Sequence, residues 1–96
     1  MRLTDQEKEA IVNSIKSIDK DAEVYLFGSR VNDSERGGDI DILILSEYIE
    51  KKNLIDIEES IFNQLDEQKI DFVLSKKQIT SKFIQMIFSH KVINLC

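Results

Sequence analysis

The sequence predicts a small α/β (α+β) domain, a mixed sheet of three to four strands flanked by helices. Apolar stripes at helical spacing alternate with short β-type runs along the chain. One of those runs, Ile40 to Leu45, is nearly all aliphatic, as a strand covered on both faces must be. A chain of 96 residues, 42% apolar and 32% charged, suits one soluble domain spanning 1–96 with a single modest core.

Taken in order, Thr4-Asp5-Gln6-Glu7 has the form of a capping box, and Ile11, Ile15 and Ile18 then repeat at helical spacing. Val24 to Phe27 reads as a short strand ending at Gly28, and Ile40 to Leu45 as the next. From about Lys52 to Gln68, Leu54, Ile57, Ile61 and Leu65 form one helical stripe that suits core packing. Lys69 to Leu74 alternates, with Ile70, Phe72 and Leu74 on one face and Lys69, Asp71 and Val73 on the other. A last helix is expected from about Lys77 to Ser89, and the closing KVINL offers a short final strand. There is no proline, repeat or low-complexity stretch to mark a linker.

Composition narrows the partners. The net charge is −5 and the pI near 4.8. A protein that holds long nucleic acid by its phosphates needs a basic footprint, and no Lys/Arg run here exceeds two, so direct nucleic-acid binding is not expected. No apolar run approaches the roughly 20 residues of a membrane span, and no apolar signal region follows Met1. The lone Cys96 rules out an internal disulfide and fits a reducing cytoplasm.

Chemistry concentrates in YLFGSRVNDSERGGDIDILIL, residues 25–45. Asp39 and Asp41, at i and i+2 of a strand, leave one face about 7 Å apart and repel unless a cation lies between them. Oxygen-only ligands suit Mg²⁺ or Mn²⁺. Taken alone, a D-x-D after a Gly-Gly turn is an exposed strand start. Asp71, the only charge in IDFVL, changes that balance. If its strand lies beside Ile40–Leu45, a third carboxylate comes within about 5 Å of the pair, the donor set that two-metal phosphoryl chemistry uses. Gly28 ends a strand where a missing side chain lets a ligand reach the backbone. Ser29 brings a hydroxyl, and Ser29, Arg30 and Val31 bring N–H groups at the start of a short helix. Arg30 and Arg36 are candidate counter-charges for phosphate, although a bare Gly-Ser is usually a turn. The P-loop and G-x-G-x-x-G patterns are absent. His90, the one histidine, sits at the expected end of the last helix, where capping is its simplest role.

The combination is sharper than its parts. Gly28-Ser29, nine intervening residues, Asp39-x-Asp41 and then the strand residue Asp71 resemble the nucleotidyltransferase superfamily related to DNA polymerase beta, and more narrowly the minimal nucleotidyltransferases. The similarity in element order extends over nearly the whole chain. It implies that Gly28 and Ser29 bind the triphosphate of an NTP, with ATP the expected nucleotide. It also implies that Asp39 and Asp41 bind Mg²⁺ or Mn²⁺, and that Asp71 completes the metal site and helps activate an attacking hydroxyl. The interval after Gly-Ser is one residue shorter than is usual in that family. Gly38 stands where a serine often precedes the first aspartate, and VNDSE where a small residue, Arg and Gly are frequent.

Larger members carry further domains that grip the acceptor, whereas the catalytic core nearly uses up this chain, so the acceptor is expected to be small or to bind with its own surface. Minimal members are often paired with a HEPN-domain protein, an RNase-like toxin, and can act as antitoxins that transfer AMP from ATP to a tyrosine of that partner. The resemblance therefore implies an AMP-transferring antitoxin. Its competitors are a binding antitoxin of the same fold acting by occlusion, and a transferase acting on a small molecule such as an aminoglycoside.

Overall fold

A computed structural model describes residues 1–32 and 38–96. The described residues form α1 (Asp5–Lys16), β1 (Glu23–Phe27), a 3-10 helix (Gly28–Val31), β2 (Ile40–Leu45), α2 (Asn53–Phe62), β3 (Ile70–Ser75), α3 (Lys82–Ser89) and β4 (Ile93–Asn94). They bear out the expected α/β architecture, with one mixed sheet ordered β3-β2-β1-β4. β1 runs antiparallel to both β2 and β4, whereas β2 and β3 are parallel. No helix among the described residues is long and apolar enough to cross a membrane.

Local chemistry explains the element boundaries. The capping box forms as its sequence requires: the Glu7 N–H donates to Thr4 Oγ1 at 3.0 Å and the Thr4 N–H donates to Glu7 Oε1 at 2.9 Å. β2 matches its expected range residue for residue. α2 stops at Phe62, six residues before the expected Gln68. The N–H groups of Gln64 and Leu65 both turn back to the Ile61 carbonyl at 3.0 Å, which closes the helix, yet Leu65 still packs on the core from the turn that follows. α3 begins at Lys82 rather than Lys77 because Ser81 is its N-cap, accepting from the Ile84 N–H at 3.4 Å. Ile79 reaches the core from the preceding irregular segment.

The two faces of the sheet are covered unequally. Val24, Leu26, Ile40, Ile42 and Ile44 point into the main core, where Ile11 and Ile15 of α1 and Ile57 and Ile61 of α2 meet them. On the opposite face, Leu43 and Leu45 pack with Ile84 and Ile87 of α3, edged by Tyr25, Phe27 and Val73. Eight helical residues span about 12 Å, against about 20 Å for a six-residue strand. One helix therefore cannot cover that face from end to end. Asp71, near the start of β3, stays exposed on it.

Candidate active site

Alternation along β2 places Asp41, Leu43 and Leu45 on the α3 side of the sheet, so the strand is charged at its start and apolar beneath α3. Asp39 precedes the strand by one residue. Parallel pairing sets Asp41 directly opposite Asp71, and antiparallel pairing sets it opposite Phe27. The condition attached to Asp71 is met, since its strand does lie beside β2 and in the register that brings the two carboxylates side by side.

The electrostatics record that crowding. Burial, then the charges of Asp71 and Asp39, push the Asp41 carboxyl above its ordinary value, and Lys69 partly offsets them. The Lys69 ammonium also lies 3.4 Å from Asp39 Oδ2, both side chains being substantially exposed. Among the described residues, no three Asp, Glu, His or Cys side chains are grouped closely enough to hold a metal ion. The backbone thus brings Asp39, Asp41 and Asp71 to one end of one face, with Asp41 and Asp71 adjacent, although the three side chains are not gathered into one ligand cluster. The donor chemistry is still that of a hard divalent cation: oxygen only, in like-charged neighbours whose mutual repulsion a cation would relieve.

Gly28 and Gly38 let the two chain segments around this end close on each other. Both take positive φ, 77° and 83°, which side chains rarely adopt. A Cβ on Gly28 would run into the Asp41 carboxylate, and one on Gly38 would run into the Ser29 hydroxyl. Ser29 Oγ therefore fills the space that a side chain at position 38 would need. Arg30 lies in the 3-10 helix beside them, but its guanidinium donates to the main-chain carbonyls of Gly38 at 3.3 Å and Arg2 at 3.0 Å. This places Arg30 as a brace between the two segments. Arg36 and Gly37 lie outside the described residues.

Residues 8–94 match the family model described as "Nucleotidyltransferase domain". The chain belongs to that family. No curated protein matches it. The family sets the general activity, transfer of a nucleotidyl group, and the superfamily is the one related to DNA polymerase beta.

Three features of this nucleotidyltransferase escape the motif. Arg2 donates to the carbonyls of Ser29 at 3.2 Å and Asn32 at 3.2 Å, holding the carbonyl side of the 3-10 turn from behind. Its position before the first helix carries no signal in the sequence. Lys69 did carry one, since alternation puts it on the face of Asp71. The third is a cleft of about 660 Å³ between the 3-10 helix and α3. Phe27, Val31, Phe83, Met86 and Ile87 form its apolar lining, and the exposed Asn32, His90 and Lys91 bring polar groups. His90 is the C-cap residue of α3, as its place in the sequence suggested, and it lines this cleft as well.

Proposed function

We propose that this nucleotidyltransferase moves AMP from ATP onto a hydroxyl of a partner protein, a HEPN-type toxin that the modification neutralises, and that Asp39, Asp41 and Asp71 hold the required Mg²⁺ or Mn²⁺. The observation that carries the reading is the pairing of Asp41 with Asp71 across parallel strands, with Gly28 against the Asp41 carboxylate. Asp71 is exposed and Asp39 partly so, so bringing them onto a cation asks for side-chain rotation rather than movement of the strands. A bound divalent ion would neutralise charge on the α-phosphate and on the leaving pyrophosphate.

The chain's own groups divide the remaining tasks. Gly28 gives the triphosphate access to the backbone, and Ser29 offers a hydroxyl to a phosphate oxygen. Arg30 and Arg2 keep the turn in shape. Asp71, on the strand farther from Gly28, faces the side from which an acceptor hydroxyl arrives in line with the leaving group. The acceptor oxygen bonds to the α-phosphorus, the bond to the bridging oxygen breaks, pyrophosphate leaves, and the hydroxyl proton passes by way of Asp71 to solvent. A protein acceptor suits an acidic chain, of net charge −5, better than RNA does.

The contact between Lys69 and Asp39 favours a second reading, an antitoxin of the same fold that occludes its partner without turnover, because an internal ammonium already serves one of the carboxylates. Incubation with α-labelled ATP, Mg²⁺ and the protein encoded by the neighbouring gene decides between them. Label on that protein, lost in Asp39→Asn while the complex still forms, supports transfer. Neutralisation by Asp39→Asn without any label supports occlusion.

A further inference from the structure

The cleft between the 3-10 helix and α3 lies on the same face of the sheet as the carboxylates and shares Phe27 and Gly28 with their surroundings. Phe27 is the register partner of Asp41 on β1, and Asp71 is its partner on β3. The cleft and Asp71 therefore flank Asp41 on opposite sides, each about one strand spacing of 4.8 Å away. None of the described residues lining the cleft comes from β3.

That arrangement limits what the cleft can hold. In phosphoryl transfer the attacking and leaving oxygens lie roughly in line. With the triphosphate on Gly28 and Ser29, the leaving pyrophosphate is on the β1 side, so the acceptor must come from the β3 side, away from the cleft. The nucleoside, joined sideways to the α-phosphate, is free of that constraint. The lining suits a flat ring system. Phe83 and Met86 stand on one side with half their surface exposed, 51% each, although both are large and apolar. Phe27 and Val31 stand on the other side. Phenylalanine stacks on bases, and thioether sulfur makes favourable contact with aromatic rings. His90 and Lys91 supply polar groups for the edge of the ring. A cleft of about 660 Å³ is within the usual range of small-molecule sites and has room for the two fused rings of a purine.

We infer that this cleft seats the base of the nucleotide and prefers a purine, with Phe83 and Met86 as its stacking wall. The inference rests on the proposed placement of the triphosphate at Gly28-Ser29, and its test separates the two. Nonhydrolysable analogues of ATP, GTP, CTP and UTP, together with inorganic tripolyphosphate, are titrated with Mg²⁺ into the wild type and into Phe83→Ala and Met86→Ala. Both positions are half exposed, so the variants keep their fold. Purine nucleotides should bind about tenfold more tightly than pyrimidine nucleotides. Each substitution should weaken the purines about five- to tenfold and leave tripolyphosphate unchanged. Equal binding of all four nucleotides, or purine affinity unaffected by both substitutions, overturns the base site while leaving the triphosphate site standing. An unchanged nucleotide affinity with a lower gel-filtration mass in Phe83→Ala would give the face to a second copy of the chain and also overturns it. Failure of all five ligands to bind the wild type removes the inference together with the reading beneath it.

Discussion

Asp41 and Asp71 face each other across a parallel strand pair, so the sheet itself forces two carboxylates into adjacent positions at its open end. A fold stabilised by burial gains nothing from that contact, and the metal-free protein carries it as a cost.

The cost has a pH signature. Because the folded protein holds the Asp41 carboxyl above its ordinary value, the folded state binds this proton more readily than the unfolded chain does. The contribution of Asp41 to stability is thus most favourable below the ordinary carboxylate range and is lost as pH rises through the raised folded value. Asp41→Asn should raise the Tm of the metal-free protein at pH 7.5 by a few degrees, and the gain should shrink as the pH approaches 4. Melts in EDTA across that range test it, and a lower Tm for the variant at pH 7.5 would contradict the assignment.

Gly28 and Gly38 make a second, purely steric prediction. At either position alanine meets an unfavourable φ, costing about 1–2 kcal/mol, and an overlap with Asp41 or Ser29. Gly38→Ala should therefore be less damaging in a Ser29→Ala background, where the overlap with the hydroxyl is gone and only the backbone strain remains. A double-mutant cycle by chemical denaturation reads the coupling. Strict additivity would place Ser29 Oγ elsewhere.

Much of this molecule is legible in its sequence because the signals are local. The capping box at Thr4, the aliphatic run of β2 and the two-residue alternation of Ile70, Phe72 and Leu74 each depend on neighbours a few positions away, and each forms as read. The ends of α2 and α3 are less legible, because apolar spacing marks burial rather than helix. Leu65 and Ile79 are packed in the core although neither is helical. Pairing of β2 with β3 was needed to bring Asp71 to Asp41, and no property of either strand alone specifies it. Arg2 was invisible for the same reason: its partners, Ser29 and Asn32, lie almost thirty residues away.

The far end of β2 supplies a test independent of the site. Ser46 is buried, its hydroxyl donates to Asp19 Oδ2 at 2.6 Å, and it accepts from the N–H groups of Tyr48 at 3.0 Å and Ile49 at 2.9 Å. Ser46→Ala leaves a buried N–H without its acceptor and should cost about 1–3 kcal/mol. That Ser46 hydrogen bond is the foremost influence holding the Asp19 carboxyl below its ordinary value. Stability from this group is present above the unfolded value and is lost as pH falls through the folded one. The variant should therefore lose part of the wild type's acid sensitivity as well as its stability. Denaturation at neutral and at acid pH measures both, and an unchanged stability at neutral pH would remove Ser46 from this role.

Asp71 separates chemistry from fold. It is exposed, and its charge is one of the influences raising the Asp41 carboxyl. Asp71→Asn removes that charge, so the Asp41 carboxyl should titrate lower and the metal-free protein should melt at the same temperature or slightly higher. Under the proposed function the same substitution takes away a metal ligand and the carboxylate nearest the acceptor. Mn²⁺ affinity should then weaken markedly, and transfer of label from ATP should fall by several orders of magnitude. A purely structural Asp71 behaves in the opposite way. Its loss would lower stability by about 1 kcal/mol and leave turnover near that of the wild type. Carboxyl titration by NMR, melts with and without Mg²⁺, and the transfer assay, all on one variant, tell these apart. A destabilised but fully active Asp71→Asn would take this residue out of the site and leave Asp39 and Asp41 to hold the ion without it.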